Sequence, residues 1–202
     1  MNRIEKIIFG LFLISIFGCS EKQVIQKKPN FITTDIDLFW KVFDDNNLYF
    51  ESDSFKMNYV NKGSIGLKDF DELKNICPEL ERKLRQSKYL NYYNSIRDNT
   101  TDLTDEITIS KEAYITFEDI YSGFKQTDVY FLVGALTAGG KKTDNGLLIG
   151  VEFFTKSETT STDQLNEWYQ KVLKEKIYLP SIVIHELVHF QQNFIPKYSS
   201  HI

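Results

Sequence analysis

All three histidines of this chain fall in its final segment, "IHELVHFQQNFIPKYSSHI". His185, Glu186 and His189 read H-E-x-x-H. On a helix, at about 100° per residue, His185 and His189 lie about 40° apart and Glu186 near 100°. Histidines four apart share a face, so both imidazoles reach one Zn²⁺ at about 2.0–2.1 Å per nitrogen. A carboxylate beside that ion accepts a proton from water attacking a carbonyl. The spacing therefore points to zinc-assisted hydrolysis, with His185 and His189 as metal ligands and Glu186 as general base. The bland alternative is a buried helix whose histidines hydrogen-bond internally.

A catalytic zinc site takes three protein ligands and keeps one position open. After Glu186 the sequence contains no Asp or Glu. The extended pattern H-E-x-x-H-x-x-G-x-x-H would need Gly at 192 and His at 195, where Gln192 and Ile195 stand. Two candidates remain. His201 comes twelve positions after His189, beyond a Pro196 that ends the helix and lets the tail fold back. Glu152, a lone acid in an apolar run, is the weaker one.

The helix carrying the motif is expected to start near Pro180, with an apolar back of Val183, Ile184, Leu187, Val188, Phe190 and Phe194 broken only by Gln191. Gln192 and Asn193 fall on the front with the histidines and Glu186.

Upstream, "TDIDLFWKVFDD" has apolar residues at helical spacing, and "GSIGLKDFDELKNI" reads as a turn entering a short helix. "PELERKLRQSKYLNYYNSIRD" starts on Pro and carries many helix formers. "NTTDLTDE" reads as a loop, and "ISKEAYITFEDIYSGF" as a helix closed by Gly123. "DVYFLVGAL" and "GLLIGVEFF" are β-rich, and Asn145-Gly146 signals a turn, so the two are expected to pair antiparallel. "TAGGKKTDN" between them reads as a connection, whose glycines lead into a strand and so do not form a phosphate loop. "STDQLNEWYQKVLKEK" reads as an amphipathic helix. The class expected is α+β, helices with a small antiparallel or mixed sheet and a C-terminal motif helix, in one domain over 34–202.

The chain is long enough for a sizeable core, with 42% hydrophobic and 26% charged residues. Its formal charge of −4 leaves no basic footprint for nucleic acid. At the start, Arg3 and Lys6 precede the apolar run "IIFGLFLISIFG", too short to span a bilayer but suited to a signal peptide. Ile16-Phe17-Gly18-Cys19 resembles the lipobox of bacterial lipoproteins. That resemblance implies a signal peptide over 1–18, a lipidated Cys19, a polar tether over 19–33 and anchoring in the cell envelope. Ser20 is of the kind associated with outer-membrane sorting, with a periplasmic or surface-facing domain. With Cys19 lipidated, Cys77 is alone and reads as a buried thiol, so a disulfide framework is excluded.

Four segments, "NKGSIGLKDF", "VYFLVGALTAGG", "TDNGLLIGVEFF" and "IVIHELVHFQQ", carry a further resemblance over about Tyr59 to Gln192. They resemble a bacterial family of predicted zinc-dependent proteases related to gliding-motility lipoproteins. The resemblance implies a zincin-like fold, a Zn²⁺ cofactor and a peptide or protein substrate held extended along a strand over the metal, for which "GLLIGVEFF" is the candidate. Related zincins take the third ligand from a glutamate on a later helix. The expectation is therefore a zinc metallopeptidase truncated at its C-terminus, or a catalytically incomplete envelope lipoprotein.

Overall fold

The computed structural model describes residues 28–192. The signal peptide, Cys19, Asn193, Phe194, Pro196 and His201 lie outside them. The described residues form an α+β domain of eight α-helices and a four-stranded mixed sheet. None of these helices is long and apolar enough to cross a membrane.

The sheet order is β1 (Phe31–Ile32), β2 (Asp128–Leu132), β4 (Gly146–Gly150), β3 (Gly140–Thr143). β1 and β4 both run parallel to β2, and β3 runs antiparallel to β4. Residues 31–32, expected in the tether, are thus already part of the sheet. Asn30 just before them donates to Asp128 Oδ1 through its backbone N–H (2.8 Å) and side chain (3.1 Å).

The two apolar strands pair parallel, which corrects the antiparallel expectation. From β2 the chain passes to the far side of β4, descends as β3 and turns back through Asp144-Asn145. Asn145-Gly146 does mark a hairpin, but its other arm is β3, hidden inside "TAGGKKTDN". That strand forms through its main-chain pairing with β4, without apolar alternation. At Gly146 φ is +152°, and a Cβ would run into the Asp128 carbonyl, so glycine is needed where β2 and β4 begin side by side.

α1 (Thr34–Asp45) buries Ile36, Phe39, Trp40, Val42 and Phe43. Phe39 meets Tyr59 edge-on and lies near-parallel to Phe55. α2 (Ser52–Phe55) continues into a π-helical turn over Lys56–Val60. Ser64 caps α3 (Ile65–Lys74), accepting from Leu67 N–H at 3.1 Å, while Asp35 accepts from the Ser64 backbone N–H at 2.9 Å.

The long helix expected from Pro78 is two helices, α4 (Ile76–Leu84) and α5 (Ser87–Thr101). The apolar stripe explains the break. It runs through Ile76, Cys77, Leu80 and Leu84, but resumes at Tyr89, Tyr92, Tyr93 and Ile96. A continuous helix would bring Lys88 inward, so an extended Gln86 resets the phase.

The expected loop shrinks to Asp102-Leu103, because α6 already starts at Thr104 and runs to Ile120, ending before Gly123. The next expected helix is confined to α7 (Glu167–Val172), capped by Asn166. Residues after it are extended because Lys174 N–H donates to Phe153 O (2.8 Å) and Lys156 N–H to Lys174 O (3.0 Å). α8 (Leu179–Gln192) closes the described chain and packs against α6, β3 and β4.

Candidate metal centre

α8 starts as its sequence demands, with Pro180 in the first turn, where a missing N–H costs nothing. Leu179, Pro180, Val183, Leu187 and Phe190 face the core. One expected member of that back does not, since Val188 is 38% exposed, whereas Ile184 is half-buried and packs against the core. Gln191, the polar break in the stripe, is buried because its side chain closes on the backbone of Lys125. Its Oε1 accepts from Lys125 N–H (2.8 Å) and its Nε2 donates to Lys125 O (2.9 Å).

His185 is exposed and His189 half-buried on the outer side of the helix. Their rings are 4.6 Å apart at 86°, and the two Nε2 atoms converge to 3.1 Å. Two ligands of one tetrahedral zinc, each at about 2.0–2.1 Å, have nitrogens roughly 3.3 Å apart. The pair fits one ion with no large movement. His189 Nδ1 lies 3.1 Å from Gln192 Oε1. An Nδ1–H donating there leaves the His189 Nε2 lone pair facing His185 Nε2, within reach of an N–H···N hydrogen bond between the rings, and this is also the tautomer of a ligating imidazole. Lys142 of β3 donates its ammonium to the His189 carbonyl at 2.6 Å, tying the outer strand to the histidine turn.

Glu186 differs from its expected place. It is 9% exposed, turned toward the sheet and lying against β3 at Gly140, not standing free beside the imidazoles. An azimuth near 100° is a flank position, and β3 covers that flank.

Among the described residues no third His, Cys, Asp or Glu joins the histidines. Glu152 is not with them. It is fully buried, and its Oε1 accepts from the N–H groups of Gly134 and Leu136, both at 2.8 Å. Its Oε2 is buried without a hydrogen-bond partner, and burial pushes its carboxyl up to about 7. Lys83, also buried, donates to the carbonyls of Ala135 (2.5 Å) and Leu136 (3.3 Å) and to Tyr169 Oη (3.0 Å). Burial brings its ammonium down to about 8. Between them these side chains grip a turn whose Ala135 and Leu136 have φ of 59° and 52°, unusual for residues with a Cβ. Cys77 is the expected buried thiol, held by Asp71 and pushed up to about 12 by that burial.

The strand expected to carry substrate is also corrected. β4 is central, paired on both sides, and the outer strand on the α8 side is β3. Gly139 and Gly150 are a hydrogen-bonded pair, Gly150 N–H donating to Gly139 O at 3.0 Å. Bonding alternates along an antiparallel ladder, so Gly140 turns its N–H and C=O away from β4.

Three contributors escaped the sequence reading. Gln192 was placed on the front without a partner, and Lys142 and Gly140 sat in a stretch read as a connection. The one sequence signal for them was Asn145-Gly146, since a two-residue hairpin needs a second arm just before it. No protein-family model, curated protein or solved structure matches this chain.

Proposed function

We propose that this protein is a zinc metallopeptidase of zincin-like fold that hydrolyses peptide bonds in extended segments. The observation that carries the reading is the convergence of His185 and His189 Nε2 at 3.1 Å, with Glu186 on the next flank of the same helix turn. Zinc bound there would supply Lewis-acid polarisation of the scissile carbonyl and water acidified toward neutral pH.

The chain's own groups do the rest. Gln192 orients the His189 ring. The Glu186 carboxylate takes the proton of the attacking water and hands it to the leaving amine. Partial burial of Glu186 limits competing water, and the outward main-chain groups of Gly140 pair with a substrate strand. The third metal ligand comes from outside residues 28–192. Lipidation at Cys19 holds the domain at the cell envelope, and fatty-acid labelling that persists in Cys19→Ala would remove that part of the reading.

A second reading, an envelope lipoprotein with a binding or structural role, is favoured by the finding that only two ligands converge among the described residues. Glu186→Gln separates the two. Zinc-dependent cleavage of an unstructured protein should fall by on the order of 10²–10⁴-fold while zinc content is kept. A wild-type protein that retains zinc but cleaves nothing supports the second.

A further inference from the structure

We propose that Gly140 is a positioning residue, whose missing side chain seats Glu186 against β3, on the flank of the helix turn that carries the two histidines. The catalytic consequence rests on the peptidase reading, whereas the contact rests on packing alone. A Cβ at position 140 would lie 2.5 Å from Glu186 Oε1, 2.7 Å from Cγ and 2.8 Å from Cδ. Real Cβ contacts essentially never come below 3.0 Å. The conflict involves the stem of the glutamate as well as its head, so swinging the carboxylate does not relieve it.

Backbone conformation gives no other reason for glycine here. Among the described residues the one glycine with positive φ is Gly146, so an alanine at 140 meets no backbone strain. In a strand such a change is ordinarily neutral or favourable, since it lowers the entropy of the unfolded chain. What position 140 requires is space, and Glu186 occupies it.

The strand cannot readily retreat. Lys141 pairs with Leu148, Thr143 with Gly146, and Lys142 is tied to the His189 carbonyl. A side chain at 140 must therefore displace Glu186. The same residue turns its main-chain groups outward, which puts the proton acceptor directly beneath the point where a substrate strand would pair.

The test is a double-mutant cycle in the full chain, read by melting temperature, zinc affinity and steady-state kinetics. Gly140→Ala should lower the melting temperature by roughly 2–10 °C, the range for overpacking in a domain of this size. In the Glu186→Ala background, where all three conflicting atoms are gone, the same change should cost little. Failure of Gly140→Ala to fold, with recovery in the double variant, is the same coupling in a stronger form. Zinc affinity should stay within about twofold, because neither histidine moves, whereas kcat should fall on the order of 10²-fold with KM nearly unchanged. Equal melting shifts in both backgrounds, or a wild-type kcat in Gly140→Ala, overturn the proposal. Coupling without any zinc-dependent cleavage by the wild-type chain brings down the peptidase reading and leaves Gly140 as the residue that seats Glu186.

Discussion

Glu152 and Lys83 hold opposite ends of the same peptide group: in the peptide joining Ala135 to Leu136, the Leu136 N–H donates to Glu152 at 2.8 Å and the Ala135 carbonyl accepts from Lys83 at 2.5 Å. Glu152 does not join the histidine pair. Together the two side chains fix the turn through which the chain crosses from β2 to β3, and β3 is the strand that covers Glu186. The buried clamp thus fixes the turn that leads into the outer strand.

This clamp should be visible in the pH dependence of stability. The Glu152 carboxyl is raised to about 7 in the folded protein, against an ordinary value of 4.5. Between those values the folded state holds a proton that the unfolded state has released. Its contribution is therefore complete below about pH 4.5 and is lost as pH rises through 7, by roughly 3 kcal/mol in all. Lys83 acts in a separate window. Its folded value is lowered to about 8 from 10.5, so stability is regained as pH rises from about 8 toward 10.5. Urea unfolding at pH 5 and 7.5 should show the first loss in wild type. Glu152→Gln keeps an acceptor for Gly134 and Leu136 but cannot ionise, so it should remove most of that slope. An unchanged slope in the variant would mean that other groups carry it.

The motif helix offers a sharp contrast between adjacent residues. Leu187 is fully buried, whereas Val188 is 38% exposed. Leu187→Asp should destabilise the domain by several kcal/mol through an unpaired buried charge, and Val188→Asp by about 1 kcal/mol or less. Thermal melts of the two variants check the assignment, and similar shifts would mean that the helix is rotated from the position described.

That contrast also shows where the sequence stopped being informative. Helical spacing placed the two histidines on one face and Leu187 behind them, because both follow from the helix repeat alone. It could not separate Val188 from Leu187, since burial at the edge of an apolar stripe depends on what packs there. Glu186 was misjudged for the same reason: nothing in "HELVH" says that a strand lies on its flank. That strand, "GKKT", has no apolar alternation, and its existence depends on a partner in β4. The split of the long helix at Gln86 was written in the apolar phase, but small steps in phase are hard to see among tyrosines. Glu152 stood out as a lone acid among apolar residues, a signal equally consistent with a ligand and with a buried clamp.

Gln192 should matter for metal and little for the fold. It is exposed, and its contact with His189 Nδ1 orients the ring. Loss of an outer-shell partner of this kind typically costs about 10–100-fold in metal affinity. Gln192→Ala should weaken zinc binding by about 10-fold, measured by competition with a chromophoric chelator, with a melting temperature close to wild type. Unaltered affinity would mean that the His189 ring is held by something else when metal binds.

The last prediction concerns the number of ligands. A tetrahedral catalytic zinc uses three protein donors and water, and residues 28–192 bring together two. Two imidazoles on adjacent turns would chelate an ion but leave it free to rotate about their axis. The orientation of a zinc-bound water relative to Glu186 would then be poorly defined, which would cost rate as well as affinity. Where no donor outside residues 28–192 reaches the pair, zinc titration of the full chain should show weak binding, abolished by His185→Ala or His189→Ala and unchanged in His201→Ala. Supplying a carboxylate donor in trans, such as acetate at high concentration, should tighten binding to the wild-type pair by filling the open position. The opposite pattern is equally readable. Tight binding that collapses in His201→Ala would make a three-histidine site of this chain's own residues.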